Sequence, residues 1–410
     1  MLVSGARRAV SLGALSPFGR GTNAPLAGQT ILQIVTSLAA GGDEGATLAV
    51  TAALTETGAR ALVATDSREL AGELQAIGGL FIRFPAATKS PIAMALNTRR
   101  LQRIIASERV DLVHTRSRWT AWSAVNACRK TKRSLVTSLP TDGGPARSRT
   151  GFETAVAEGD YVIASSEFAA GRAEVLFPAL PARLRVVRPG MDLSRLRPER
   201  VSGRRVSDVR SSWGVASHER VVLMPARLAP GRGQHTIIEA AALIKRGGLD
   251  DVHFVLAGEA SKPAFAAELD ALASKCGVQS IFTRVGAAAD PAAAFIGAAV
   301  VAFPATDADG VTRTAIEAAA MGALTIISDV GSAREIVDAP PQVDADVRTG
   351  WLVPPREPAP LADAIIAALS IGASARETVR RRSRAKIADA YSLERMTRDT
   401  LNVYAEALSR

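Results

Sequence analysis

Few cysteines and few aromatic residues occur in this chain. Among 410 residues only Cys128 and Cys276 are cysteines, and they stand far apart. This disfavours a disulfide framework and a zinc site and fits a reducing cytoplasm. Aromatic residues make up 4% of the chain, which argues against a protein that binds single-stranded nucleic acid by stacking its bases.

Long apolar runs are also missing. No stretch reaches the ~18 consecutive apolar residues of a membrane span, so we expect a chain that does not cross a bilayer. Residues 1–28 contain Arg7, Arg8 and Arg20 and no acidic residue, but their apolar pieces are short and broken by Ser and Gly, unlike a secretory signal. We expect a loose N-terminal extension there.

The chain contains enough apolar sequence for more than one core. It is 47% hydrophobic and 22% charged, and 410 residues exceed what one core usually supports, so two domains are expected. The net charge of +10 and the pI near 10.2 favour anionic partners. Nucleic acid, acidic lipid headgroups and phosphorylated small molecules all fit this charge.

From Thr30 onward, runs of β-branched apolar residues alternate with stretches rich in Ala and Leu. This pattern is typical of a parallel sheet covered on both faces. The first series of predicted strands is ILQIVTS, ALVAT, FIRFP, DLVHT, SLVTS, YVIAS and LRVVRPG. After a polar stretch near residues 195–212, a second series follows: VVLMPARL, VHFVLAG, SIFTRVG, VVAFPA and LTIISDV. The restart predicts an α/β fold with two doubly wound, Rossmann-like domains.

We divide the chain into an N-terminal extension (1–28), a first domain (29–195), a second domain (196–375) and a C-terminal helix (376–410) that packs back on the first domain. Ligands of open parallel sheets bind beyond the carboxyl ends of the strands, where the strand order reverses. With two such sheets, we expect the ligand in a cleft between them.

Two arginines follow the first strand of the second domain. Arg227 and Arg232 flank a turn made by Pro230 and Gly231, just before a helix. Paired guanidinium groups at the start of a helix suit phosphate oxygens. Taken alone, the pair is more often one solvated arginine and one arginine bound to an acid, so the phosphate interpretation needs a second such loop.

That second loop lies between Phe303 and Val330. Asp309 and Gly310 follow an apolar run, and Glu317 comes eight residues later, about two helical turns on. Loop amides and the helix N-terminus suit a pyrophosphate, while one carboxylate can reach a sugar and the other ribose hydroxyls. Asp307 and Asp309 also form a D-A-D pair, so a metal site is the less favoured alternative.

In the first domain, candidate binding residues follow two strands. Gly41 and Gly42 let the backbone approach a ligand after the first strand. They lack the spacing of a dinucleotide-binding fingerprint, and a simple tight turn is the alternative. His114 and Arg116 end the DLVHT strand. An isolated His there is more often structural, whereas the basic side chain can hold an acidic acceptor.

Basic amphipathic stretches form a last group. Residues 91–110 place Leu96 and Leu101 beside Arg99 and Arg100, and the tail carries VRRRSRAK from Val379. Such helices can lie on anionic bilayers. A covering helix with a solvated charged face is the favoured interpretation.

Several motifs together resemble retaining glycosyltransferase family 4, from about residue 31 to residue 368. G-G-D-E at 41–44 is similar to the family's G-G-x-E loop, V-R-P-G-M-D at 187–192 to its hinge signature, and ARLAPGRG at 226–233 to its phosphate loop. The family's paired acids fall on Asp309 and Glu317, followed in order by A-M-G, S-D-V-G and TGWLVPP. The shared order is much more specific than any single motif.

The resemblance implies a GT-B fold, a nucleotide-sugar donor held mainly by the second domain, retention at the anomeric carbon, and neither metal nor another cofactor. Arg227 and Arg232 would stabilise the leaving diphosphate, Asp309 would contact the donor sugar and Glu317 the ribose. Further substrate-binding residues would be Gly310, Val311, Thr312, Gly41, Gly42, His114 and Arg116. The expected acceptor is a cell-envelope glycan or lipid-linked glycan, in the cytoplasm or at the anionic inner face of the membrane, and no nucleic-acid partner is expected.

Several positions depart from the family pattern, among them Val311 and Thr312, which stand where Phe-Gly is usual. Asp309 stands where Glu is usual, Arg232 where Lys is usual, and Pro140 where many relatives carry a His close to the anomeric centre. These departures keep a second hypothesis open, a relative with weak or no catalysis that binds a nucleotide or glycan and acts through a partner. A nucleotide-sugar epimerase on the same fold is a third.

Overall fold

The computed structural model describes residues 25–36, 42–88, 90–140, 154–307 and 313–410. The chain forms two compact units. One consists of residues up to Gly190 together with Ser392–Arg410, and the other is Met191–Tyr391. Each unit contains one parallel sheet with helices, as the alternating pattern of the sequence predicted.

The first unit has a seven-stranded sheet in the order β3-β2-β1-β4-β5-β6-β7 over the described residues. The strands are β1 (Thr30–Ile34), β2 (Arg60–Thr65), β3 (Leu80–Arg83), β4 (Leu112–Thr115), β5 (Ser134–Ser138), β6 (Tyr161–Ala164) and β7 (Leu184–Val186). The helices between them are α1 (Gly42–Glu56), α2 (Ala71–Ala76), α3 (Pro91–Ser107), α4 (Arg118–Thr131) and α5 (Glu167–Leu176). The strand order reverses between β1 and β4, which are paired neighbours.

The second unit has a six-stranded sheet in the order β10-β9-β8-β11-β12-β13 over the described residues. The strands are β8 (Arg220–Pro225), β9 (Val252–Ala257), β10 (Phe282–Val285), β11 (Val300–Phe303), β12 (Thr325–Ser328) and β13 (Trp351–Val353). The helices are α6 (Gly203–Ser212), α7 (Gln234–Arg246), α8 (Pro263–Lys275), α9 (Pro291–Gly297), α10 (Arg313–Ala320), α11 (Ala333–Ile336), α12 (Pro358–Ser370) and α13 (Ala373–Ala390).

Both faces of the second sheet are buried. Along β8, Val222 and Met224 belong to one hydrophobic core, while Val221 and Leu223 belong to another. Successive strand residues point to opposite faces, so a strand covered on both sides needs apolar residues at every position. This explains why the buried strands read as continuous apolar runs. Every predicted strand is present, including the less buried β3 and β10. The three-residue β13 is an additional strand, too short to show a pattern.

The first unit ends before the predicted boundary. The division falls after Gly190 rather than residue 195, and the predicted linker contains α6. The Ser202 hydroxyl caps this helix, and the Arg205 guanidinium bonds both oxygens of Asp290 at 2.7 and 2.8 Å. Since α6 buries none of its residues fully, its sequence shows no apolar period.

The predicted C-terminal helix is two helices in two units. A break at Tyr391–Ser392 separates α13 from α14 (Leu393–Leu408). Ile387 of α13 is buried in the second unit, whereas Leu401 and Tyr404 of α14 are buried in the first. The last helix therefore packs on the first domain as predicted, but α13 does not.

The predicted N-terminal extension is described only from residue 25, and residues 1–24 lie outside the described part. Leu26 is fully buried in the first unit, so packed chain begins before residue 29. In the part of the chain that the structure describes, no single helix is long and apolar enough to cross a membrane; α12 and α13 pass only as a pair, across a 112° bend.

Candidate functional site

The candidate site of the second unit lies at the carboxyl ends of β8 and β11. The chain runs from β8 towards one edge of the sheet and from β11 towards the other, so the strand order reverses between these two strands. Val222 pairs with Val300 and Leu223 with Val301, which places the loops that follow the strands side by side. Such a reversal opens the crevice in which ligands of open parallel sheets bind.

Two glycines allow these loops to touch. The amide of Thr306 donates to the carbonyl of Gly231 at 2.9 Å. A Cβ atom on Gly231 would lie 2.5 Å from Oδ2 of Asp307, and one on Gly233 would lie 1.7 Å from the carbonyl oxygen of Pro304. Both glycines have a positive φ, +86° and +89°. Glycine is therefore required at both positions by the backbone conformation and by the contact between the two loops.

Gly233→Ala is expected to destabilise the second unit by about 2 to 5 kcal/mol, because a left-handed non-glycine residue and a backbone clash act together. Urea unfolding followed by tryptophan fluorescence measures the change. Gly248→Ala is the matched control, since Gly248 has φ +82° with nothing within 4 Å of the added Cβ. An equal loss in both variants would show that the contact with Pro304 is not the cause.

The loop after β8 carries both predicted catalytic arginines. Arg227 is exposed and Arg232 is partly buried. Nε2 of Gln234, the first residue of α7, donates to the carbonyl of Arg227 at 2.9 Å, and Gln234 is only 1% exposed. Sequence reasoning missed Gln234. Its position directly after G-R-G was the available signal, and its role here is to fix the backbone that carries Arg227.

Glu317 lies inside a helix, as predicted. It is the fifth residue of α10, its side chain is 26% exposed, and its Oε1 accepts from Nε of Arg313 at 2.9 Å. The flanking residues Ile316 and Ala318 are buried, so the helix is anchored on its apolar side while the carboxylate stays accessible. The other predicted residues of this segment, Asp309, Gly310, Val311 and Thr312, lie outside the described residues.

Additional charged pairs at the same edge of the sheet were missed from the sequence. Asp307 is 3.2 Å from Nη2 of Arg356, which follows β13, and both side chains are exposed. Asp329 after β12 binds Nε and Nη2 of Arg334 at 2.7 and 2.5 Å. Asp307 is thus paired with an arginine. No group of three or more His, Cys, Asp or Glu side chains suited to a metal occurs within the described ranges.

The first unit has a comparable reversal between β1 and β4, with Gly42 opening α1 and His114 and Arg116 at the end of β4. Gly41 lies outside the described residues. His114 is 1% exposed: its Nδ1 is 2.7 Å from the hydroxyl of Tyr404 and its Nε2 is 2.9 Å from Oγ of Ser138. Both ring nitrogens are used within the protein, which is the arrangement of a structural histidine.

Ser138 and Arg116 are two further polar residues at these strand ends. Ser138 ends β5 two residues before Pro140, the position at which many relatives carry a His. A hydroxyl is therefore present at this strand end in place of an imidazole. Nε of Arg116 is shielded from solvent and has no hydrogen-bond partner among the described residues. Of His114 and Arg116, only Arg116, directly after β4, has a donor left for an acceptor.

Burial lowers the pKa of His114 well below its ordinary value of 6.5, and the charge of Arg116 lowers it further. Below about pH 6.5, the ordinary pKa of histidine, His114 binds a proton in the unfolded chain but not in the folded chain. Stability is therefore expected to fall as the pH drops below about 6.5, by up to about 1.4 kcal/mol per pH unit from this residue. Urea unfolding of wild type and His114→Asn at about pH 7 and about pH 5.5 tests this. An unchanged pH slope in the variant would contradict it.

Solved structures with the same architecture define the class of fold. The chain superimposes on a glycosyltransferase from Rickettsia africae with a TM-score of 0.80 and 25% identity, over 93% of this chain and 99% of that one. It also superimposes on Anabaena HepE in complex with UDP-glucose, with a TM-score of 0.71 and 21% identity, over 92% and 99% of the two chains. The fold is GT-B.

Sequence comparison then identifies the family. The profile described as Glycosyl transferases group 1 matches residues 219–370, and the one described as Glycosyltransferase Family 4 matches residues 40–195. D-inositol 3-phosphate glycosyltransferase of Mycobacterium tuberculosis is 31% identical over 272 residues, 65% of this chain and 53% of that protein. The chain belongs to the group 1 glycosyltransferases. It spans about half the length of the curated relatives that it matches.

Proposed function

We propose that this protein transfers a sugar from a nucleotide diphosphate sugar to a glycan or glycolipid acceptor of the cell envelope, with retention at the anomeric carbon. One observation carries the donor part: the loop with Arg227 and Arg232 and the loop that leads to Glu317 flank the strand-order reversal of the second sheet. Anabaena HepE has been solved with UDP and with UDP-glucose, which supports a nucleotide-sugar donor.

The two arginines act on the leaving group. As the sugar leaves, negative charge develops on the diphosphate, and fixed guanidinium groups stabilise this charge more in the transition state than in the ground state. Gln234 holds the backbone at Arg227, and the contact between Gly231 and Thr306 holds the two loops together. Asp309 contacts the donor sugar and Glu317 the ribose hydroxyls in this proposal.

The proposed reaction needs no metal ion. The arginines supply the positive charge that a divalent cation would otherwise bring to a diphosphate. Asp307, the described member of the D-A-D pair, has Arg356 as its ionic partner. We therefore expect transfer to continue in the presence of a chelator.

The acceptor is proposed to bind on the first unit, where Arg116 keeps a shielded donor without a partner among the described residues. A cytoplasmic protein that docks at the inner face of the membrane fits the exposed face of α3. There Ile92 and Leu96 are 77% and 46% exposed, beside exposed Arg99 and Arg103.

Membrane docking by this face gives a separate prediction. Replacing both Ile92 and Leu96 by serine is expected to weaken binding to vesicles that contain phosphatidylglycerol by about tenfold or more, because two apolar side chains no longer enter the interface. Cosedimentation measures it. Val175→Ser is the control, since Val175 is 82% exposed on α5. Equal binding by the double variant and wild type would rule out α3 as the docking face.

The donor is identified by incubating the protein with a panel of nucleotide sugars and an envelope glycolipid extract, with and without EDTA, and measuring the released nucleoside diphosphate. We expect release with at least one donor, dependent on the extract and unaffected by EDTA. Loss of activity with EDTA would contradict the metal-independent mechanism.

The departures at Asp309, Arg232 and Pro140 favour one second candidate, a relative that binds a nucleotide or glycan without efficient turnover. It predicts tight nucleotide binding by calorimetry together with no diphosphate release from any donor. Efficient release of diphosphate from a donor would exclude it. Isomerised sugar formed without acceptor would indicate an epimerase instead.

A further inference from the structure

A basic cavity lies at the edge of the second sheet opposite the candidate site. Its volume is about 260 Å³. It is bordered by Arg220 at the start of β8, by Ala299 just before β11 and by Leu324 just before β12. All strands of this sheet are parallel, so their starting ends lie at one edge and their carboxyl ends at the other. The cavity is therefore separate from the loops that carry Arg227 and Glu317.

Four arginines and one glutamate line this cavity: Arg210, Arg220, Arg376, Arg380 and Glu219. Arg220 is neutralised by Asp251, which bonds its guanidinium at 2.7 and 2.5 Å. Oε1 of Glu219 lies 3.4 Å from Nδ1 of His253. The other three guanidinium groups therefore leave the lining with an excess of positive charge.

Two of these three arginines have a structural explanation. Arg210 donates to the carbonyl oxygens of Gly297 at 3.0 Å and of Glu219 at 2.7 Å, and Arg380 donates to that of Gly322 at 2.9 Å. Gly297 ends α9 and Gly322 lies just after α10, so both arginines bind the open carbonyls that follow a helix end. Neutral carbonyls position these cations without removing their charge.

Arg376 is not explained in this way. Its Nη2 makes one long bond of 3.4 Å to the carbonyl of Leu369, and its Nε is shielded from solvent without a hydrogen-bond partner among the described residues. A buried donor on a charged group is costly to leave unpaired. An anion with several acceptor oxygens satisfies this donor and offsets the charge of the neighbouring arginines.

We propose that this cavity binds the phosphate group of a small phosphorylated molecule. A phosphate monoester carries close to two negative charges at neutral pH and offers three oxygens, which suits a cavity lined by several arginines. The volume lies just below the range of about 300–1,000 Å³ typical of pockets for drug-sized ligands. It suits a sugar phosphate better than a whole nucleotide diphosphate sugar. This site is independent of the proposed transfer reaction.

Calorimetric titration of the full-length protein with inorganic phosphate and with glucose 6-phosphate, in the absence of any nucleotide sugar, tests the proposal. Glucose is the uncharged control ligand. We expect Arg376→Gln to weaken binding of both phosphates about 10- to 100-fold, as for the loss of hydrogen bonds to a charged group. Arg381→Gln is the matched control, because this substitution removes the same charge from the same helix. Arg381 is exposed and does not line the cavity.

The outcomes separate cleanly. Unchanged phosphate affinity in Arg376→Gln, or an equal loss in Arg381→Gln, overturns the proposal, and so does binding of glucose as tight as that of glucose 6-phosphate. In an Arg232→Ala background, Arg376→Gln is still expected to weaken phosphate binding. If it no longer did, the phosphate would be assigned to the candidate donor site instead. Thermal unfolding checks that the variants fold. Arg376→Lys, which keeps the charge but not the forked geometry, is the second variant and is expected to show an intermediate loss.

The same phosphate chemistry occurs in soluble metabolites and in lipid headgroups. Vesicles of phosphatidylcholine with phosphatidic acid, compared with phosphatidylcholine alone, distinguish the two sources. Binding of glucose 6-phosphate that depends on Arg376 assigns a soluble ligand, whereas Arg376-dependent binding to the phosphatidic acid vesicles alone assigns a headgroup. If binding depends on Arg376 in neither assay, the proposed site is refuted.

Discussion

Replacing Arg232 by alanine is expected to lower the turnover number by about 100- to 1,000-fold, the range found when one preorganised donor to a developing anion is removed. Arg232 stands in the loop after β8, directly before the glycine that packs against Pro304. The loop position is therefore fixed by backbone contacts that the substitution leaves in place. Donor affinity is expected to change much less than turnover, because the charge on the leaving diphosphate grows only as the bond to the sugar breaks.

Steady-state kinetics with the identified donor, together with calorimetry of the nucleoside diphosphate, separates these effects. Arg232→Lys keeps a positive charge and is expected to retain most of the activity. Arg246→Ala removes an exposed arginine from the far end of α7 and is the control for net charge. If Arg232→Ala reduced only donor affinity, a role in leaving-group stabilisation would be ruled out.

Glu317→Ala is expected to weaken donor binding about 10- to 100-fold, corresponding to the loss of about 1.5 to 3 kcal/mol for hydrogen bonds to a charged group. The effect on folding should be small. The only described ionic partner of Glu317 is Arg313 on the same helix, whose side chain is 48% exposed. Such exposed pairs contribute under about 1 kcal/mol. A large change in affinity with little change in stability then points to a direct contact with the donor.

Calorimetry with the nucleoside diphosphate measures this change. Glu239→Ala is the matched control, because Glu239 is an exposed glutamate on α7 of the same unit. Glu317→Gln keeps the shape and loses the charge, and is expected to fall between wild type and Glu317→Ala. Wild-type affinity in the alanine variant would remove Glu317 from the donor site.

The sequence predicted the central strands of both sheets well because these strands are buried on both faces. Val221, Val222, Leu223 and Met224 are each under 2% exposed, so β8 appears as an unbroken apolar run. The same reasoning failed for elements whose stability comes from other sources. α6 is held by the pair of Arg205 and Asp290 and buries no residue fully, and it was taken for a linker. The basic tail was read as one helix because the change of unit at Tyr391 leaves no periodic signal.

Some residues of the candidate site were predicted from the sequence and others were not. Arg227, Arg232 and Glu317 were found because they stand at fixed distances from strands and helix starts along the chain. Gln234 and the pair of Asp307 and Arg356 were not found. Asp307 and Arg356 are 49 positions apart, and no local pattern predicts that the ends of β11 and β13 bring them together.

By itself, the sequence determined the elements of this protein, their alternation and the order of its family motifs, because apolar periodicity and loop chemistry act over a few residues. Only the tertiary structure decided which strands are neighbours, and so that β8 and β11 place two loops at one reversal point. It also decided that His114 is bonded to Tyr404, 290 positions away, and that Arg376 faces a cavity formed by three separate strand ends. Such contacts depend on how the whole chain packs, and burial then sets the pKa values and the unpaired donors at those sites.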